Sequence, residues 1–146
     1  MESFAGKQLD TRLAIGLGTV EQISRKRVSL SSGEAFVVSG RALDSLKSTR
    51  LTIQVADSRD PFAAWLPSIG GLCDALIRPW SRRQAQIVAC AILPENLTHE
   101  EIARKLDPPV SKQTVSKVLR SARWNALERA VIQFEETVWA RVVSES

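Results

Sequence analysis

No apolar run in this chain approaches the ~20 residues that a membrane-crossing helix needs, because charged residues or prolines interrupt each one. A basic stretch leading into an apolar one is also missing at the start, so we expect neither a membrane span nor a signal peptide, and a cytoplasmic location. Histidine occurs once, as His99, and cysteine twice, as Cys73 and Cys90. Their spacing matches no metal-ligand pattern, and each cysteine falls on an apolar helical face as a buried thiol. Gly16 and Gly18 lack a third glycine where Glu21 stands, and Gly6-Lys7 lacks both the upstream glycine and the following hydroxyl residue of a phosphate loop. No histidine–cysteine pair is available, and Ser31 and Ser32 have no strand-to-helix nucleophile setting. These absences lead us to expect no enzyme and no cofactor.

What is present is ordinary globular material. With 146 residues, 44% hydrophobic and 25% charged, the chain suits one domain or two small ones sharing a core. Its formal charge of +4 and pI near 9.5 permit a polyanionic partner, and the placement of the charge says more. Between positions 112 and 123, Lys112, Lys117, Arg120 and Arg123 meet no acidic residue, whereas Glu100, Glu101 and Asp107 lie just before. A cationic helix beside an acidic support suits a phosphate-facing surface.

The stretch 97–120 reads as a helix-turn-helix. Thr98 with Glu101 is a capping box, and Leu97 with Ile102 a hydrophobic staple, so a helix starts here with Ile102, Ala103 and Leu106 on its apolar face. Asp107, Pro108 and Pro109 stop it, since proline lacks the N–H and disfavours helical geometry in the residue before it. Ser111 then caps a second helix whose Val115, Val118 and Leu119 face inward and whose Lys112, Gln113, Ser116, Lys117 and Arg120 face outward. A helix fits the major groove, where Gln113 suits adenine and Lys112 or Lys117 suits guanine or phosphate. Two ordinary amphipathic helices with a solvated basic face are the plain alternative.

Around this stretch, Leu13, Ile15 and Leu17 alternate with small residues, as in a strand whose other side is closely covered. A second short strand is expected at 27–30, a helix at 34–47 and a third strand at Leu51, Ile53 and Val55. Arg25, Lys26 and Arg27 read as a loop or edge cluster, or as a further phosphate contact. Asp60-Pro61 starts a helix carrying Phe62, Trp65, Leu66, Ile69, Leu72, Cys73 and Leu76, kinked at Pro67 and Gly70-Gly71, either as core or as a partner face. Ser81 with Gln84 caps a supporting helix lined by Ala85, Val88, Ala89 and Ile92, which Pro94 ends. Asn125 with Glu128 restarts a helix lined by Leu127, Val131, Phe134, Val138 and Val142, which packs with Trp139 on the module or on a second copy. No strand pair that would form a wing follows.

The ordered motifs Leu13-Ala14-Ile15-Gly16-Leu17-Gly18, Ser32-Gly33-Glu34-Ala35-Phe36, Gly40-Arg41-Ala42-Leu43, Trp80-Ser81-Arg82-Arg83-Gln84, Glu101-Ile102-Ala103-Arg104-Lys105-Leu106 and Val115-Ser116-Lys117-Val118-Leu119-Arg120 give the chain its family likeness. It resembles the SatD family of bacterial regulators. The resemblance implies a first part similar to the later half of a cyclase palm and a second part similar to the helix-turn-helix of sigma factors or MarR-type regulators. The palm's opening strand and helix, with their metal-binding acids, have no counterpart before Arg12, which argues against catalysis.

The expected fold is therefore α+β: a partial ferredoxin-like ββαβ part over 1–58, a connecting helix over 59–78 and an all-α helix-turn-helix module over 79–146. The expected partner is double-stranded DNA, faced by Lys112, Gln113, Ser116, Lys117 and Arg120, with Arg82, Arg83 and Arg123 on phosphates. So small a sheet leaves its edges and one face uncovered, so we expect a homodimer through the N-terminal half, with two recognition helices ~34 Å apart. A protein-interaction adaptor docking through the helical module is the second reading, and a nucleotide sensor or enzyme derived from the palm the third.

Overall fold

The computed structural model describes residues 11–24, 27, 31–56 and 60–143, Val143 by its backbone alone. The fold is α+β: among the described residues, a two-stranded parallel sheet with one helix between its strands and the others after them. The described residues form two compact units, one comprising 11–74 with 139–143 and the other Ala75–Val138. This division falls inside the expected connecting helix and assigns the last segment to the first unit. Among the described residues no helix is long and apolar enough to cross a membrane.

In the first unit, alternation puts Ala14 and Gly16 of β1 (Leu13–Leu17) on one side, and α1 (Glu34–Ser45) lies across it. A Cβ on Gly16 would collide with the Ala35 carbonyl oxygen, and one on Gly18 would stand 2.9 Å from the Ala35 nitrogen. The close cover expected over the small residues is this helix, and the two glycines serve its approach. β2 (Leu51–Val55) pairs with β1 in parallel, Ile15 opposite Ile53, a pairing that requires a crossover such as α1. The expected strand at 27–30 lies outside the described residues except for Arg27, as do Arg25, Lys26 and residues 1–10.

On the other side of β2, Ile53 meets α2 (Leu66–Ile77) at Gly70, where a Cβ would stand 2.9 Å from the Ile53 nitrogen. Only a residue without a side chain lets the α2 backbone settle there. This second face is covered only in part: α2 buries Ile53, while Leu13 on the same face stays exposed. The helix expected from Asp60 begins instead as a 3-10 turn over Ala63–Trp65 that gives way to α2 just before Pro67, and no break occurs at the glycines; Pro67 sits in the first turn of α2, where its missing N–H costs no helical bond. With Gly70 facing the sheet, Leu72 lies two residues on, roughly 200° around the helix, and is exposed, as is Trp65 in the preceding 3-10 turn. The expected apolar stripe is therefore split between core and surface. Both cysteines are half-buried rather than enclosed, and burial raises the Cys73 thiol above its ordinary range.

Asp74 is the buried carboxylate of this unit. Its Oδ1 accepts the backbone N–H groups of Arg50 at 2.7 Å and Leu51 at 2.9 Å, holding the entry to β2 against α2. Asp74→Ala leaves both amides without this acceptor and is expected to destabilise the protein by about 2–4 kcal/mol in urea titration. A loss below about 1 kcal/mol would show that these bonds contribute little.

The second unit is helical: α3 (Arg82–Ala91), α4 (His99–Lys105), α5 (Lys112–Ser121) and α6 (Trp124–Glu136). Among the described residues, Ile87 of α3, Ile102 of α4 and Val115 of α5 are the three largest fully buried side chains, one from each of these helices. On α3 the expected stripe is rotated. Ile87 and Val88 are buried, while Ala85, Ala89 and Ile92 are exposed, because turning Ile87 inward removes more apolar area from water than turning either alanine. The terminal stripe is also divided. α6 ends before an extended Thr137, and Trp139–Val143 forms a separate helix, α7, whose Trp139 ring lies 6.5 Å from that of Phe62.

Candidate nucleic-acid interface

Each end of α4 and α5 is set by local chemistry. Thr98 accepts the Glu101 N–H at 3.3 Å through its hydroxyl, and the Glu101 carboxylate accepts the Thr98 N–H at 2.7 Å, closing the expected capping box. At Leu106 the backbone leaves the helix in an extended conformation, and the Val110 N–H returns to the Ala103 carbonyl at 3.1 Å, folding the proline-bearing turn against α4. Ser111 then accepts the Thr114 N–H at 3.1 Å and starts α5. The turn and both caps stand where the sequence puts them.

The capping box makes α4 sensitive to acid. The Thr98 hydroxyl and backbone N–H hold the Glu101 carboxyl below its ordinary value of 4.5. A carboxylate depressed on folding contributes its stability above that ordinary value and loses it as pH falls through the lower folded value. Thr98→Ala is expected to cost about 1 kcal/mol at pH 7, with a smaller difference from wild type at pH 3. Thermal melts at the two pH values measure this, and an equal difference at both would remove the acid-dependent contribution.

Helix α5 is held from behind by side chains of the neighbouring helices. Val115 is fully buried and Leu119 nearly so. The Trp80 indole N–H donates to the Ala122 carbonyl at 3.1 Å, and Gln84 Nε2 donates to Ser121 Oγ at 3.1 Å, tying the end of α5 to the start of α3. Gln84 Oε1 meanwhile accepts the Ser81 N–H at 2.8 Å, so one carboxamide caps α3 and anchors α5.

The opposite side of α5 is open. Gln113, Lys117 and Arg120 are exposed and, at 3.6 residues per turn, occupy an arc of about 60° facing away from Val115 and Leu119. Lys112 is exposed at the first position of α5, and Arg82 at the first position of α3. Among the described residues, none of these five side chains makes a hydrogen bond or ion pair.

Three other expected contacts are placed differently. Ser116 is half-buried with Oγ 2.8 Å from His99 Nδ1, so it joins α5 to α4 instead of standing on the outer face. Its helical angle falls between the open arc and the buried residues, which points it at α4. Arg83 is half-buried and donates through Nη2 to the Pro108 carbonyl at 2.9 Å, bracing the turn. Arg123 is exposed but lies beyond α5, in a left-handed conformation at φ 59° from which α6 begins. Asn125 accordingly lies within α6 and does not cap it. The braces from Arg83, Gln84, Trp80 and His99 went unpredicted because each joins residues distant in sequence.

Among the described residues, no group of three or more His, Cys, Asp or Glu side chains gathers where it would hold a metal ion. No protein-family model, curated protein or solved structure matches the chain.

Proposed function

We propose that this protein is a DNA-binding regulator that presents α5 to the major groove of double-stranded DNA, a helix-turn-helix function in keeping with its resemblance to the SatD family. The observation that carries the reading is the outward arc of Gln113, Lys117 and Arg120, unpaired among the described residues and fixed from behind by a three-helix core. Lys112, Arg82 and Arg123 extend the cationic surface toward phosphates. In this reading Arg83 and Ser116 are positioning residues: one fixes the turn and the other the angle between α4 and α5. The protein acts by binding and not by catalysis, in the cytoplasm, and as a homodimer.

The test is titration of a random duplex at several salt concentrations. Neutralising about four to five phosphates makes log affinity fall against log salt with a slope of roughly −4. Binding that is absent at low salt, or indifferent to salt, would overturn the proposal. The dimer is tested by light scattering at micromolar concentration, where a strict monomer removes it. The adaptor reading has less support, since its continuous terminal stripe is interrupted between α6 and α7.

A further inference from the structure

We infer that Gln113 determines the base preference of this protein by pairing its carboxamide with an adenine in the major groove. The inference rests on the duplex-binding reading above and goes beyond it, since affinity for phosphates carries no sequence information by itself.

Helix α5 holds four neutral polar side chains, Gln113, Thr114, Ser116 and Ser121. Three of them are engaged within the protein. Thr114 Oγ1 lies 2.9 Å from Ser111 Oγ, Ser116 Oγ lies 2.8 Å from His99 Nδ1, and Ser121 Oγ accepts from Gln84 while donating to the Val118 carbonyl. Gln113 alone has no side-chain partner among the described residues.

Its position fits a reader of base edges. Gln113 is the second residue of α5, and the N-terminal part of a groove-bound helix is the part that meets the bases. On the helical wheel it falls between Arg120, about 20° to one side, and Lys117, about 40° to the other. Two cations flanking a neutral amide suit a groove in which phosphates line the walls and base edges the floor. A carboxamide presents an N–H donor beside a C=O acceptor, which pair with adenine N7 and the N6 amino group, whereas guanine N7 and O6 are both acceptors and leave the carboxamide oxygen unpaired.

Selection of preferred sites from a random duplex library by the full-length protein tests this, followed by the same selection with Gln113→Ala. The wild type is expected to select a site with a required adenine, and to bind it at least tenfold more tightly than a version with guanine there. Gln113→Ala is expected to lose this discrimination, binding the adenine and guanine versions of the site alike, with the salt slope of the wild type, since glutamine carries no charge. The exposed position and the helical preference of alanine keep the variant folded, which circular dichroism verifies. Unchanged base preference in the variant overturns the inference. Salt-dependent wild-type binding without any selected sequence overturns it too but leaves duplex binding intact, whereas absence of duplex binding defeats both.

Discussion

Replacing Lys117 and Arg120 together by alanine is expected to weaken binding to random duplex on the order of 50-fold at 0.1 M salt, and to flatten the salt slope by about 2. The size follows from counterion release. Each cation that no longer neutralises a phosphate removes about 0.9 from the slope, and at 0.1 M salt that is roughly eightfold in affinity per site. Both side chains are exposed on α5, and the folded state is not expected to change, because neither touches Val115, Leu119 or the braces behind them by any hydrogen bond or ion pair among the described residues. The measurement is a salt series of binding isotherms on wild type and variant, with melting curves in parallel. A variant that binds like wild type would show that the outer arc of α5 does not meet the duplex, even if some other surface does.

Val115→Asp is expected to abolish the cooperative unfolding of the helical unit. Val115 is fully buried, as are Ile87 and Ile102 on the two helices against which α5 packs, so an aspartate there is an ionised group with no partner in an apolar setting. The penalty is several kcal/mol, comparable to much of the stability of a small domain. Val115→Ala separates the loss of packing from the burial of charge. Its expected cost is about 2 kcal/mol, for two methyl groups and the cavity they leave, with the transition still cooperative. Circular dichroism melts of the three proteins decide the matter. If Val115→Asp melts within a few degrees of wild type, the three-helix core is not what holds α5 in place.

The two variants act on opposite faces of one ten-residue helix. Their contrast distinguishes a functional surface from a structural one: the first changes affinity and leaves stability alone, and the second removes affinity only by removing the fold.

Local signals in the chain were legible because the atoms that satisfy them are close in sequence. Ser81 with Gln84, Thr98 with Glu101, and Ser111 with the Thr114 amide are each closed across a single helical turn, and all three caps form as read. The alternation in β1 and β2 and the small-residue side of β1 were legible for the same reason. Rotation of a helix about its own axis was not. The wide apolar arc of α3 is compatible with two inward faces, and only packing against α4 and α5 selects Ile87. The start of α6 was placed at Asn125 and falls at Trp124, because Arg123 enters the left-handed region without the glycine that ordinarily marks such a site. Asp74 was missed because the amides it serves lie more than twenty residues away.

The sequence by itself determined where α3, α4 and α5 begin and where β1 and β2 lie, that the turn after α4 must be a break, and that α5 carries cations without acids, since caps, prolines and periodicity act over a few residues. Tertiary structure decided the rest. It turned Ser116 and Arg83 from outward contacts into braces, left Gln113 as the one unengaged neutral side chain of α5 among the described residues, and joined α7 to the first unit. The physical reason is that a long polar side chain goes to whichever partner packing brings within 3 Å, and packing is a property of the whole chain.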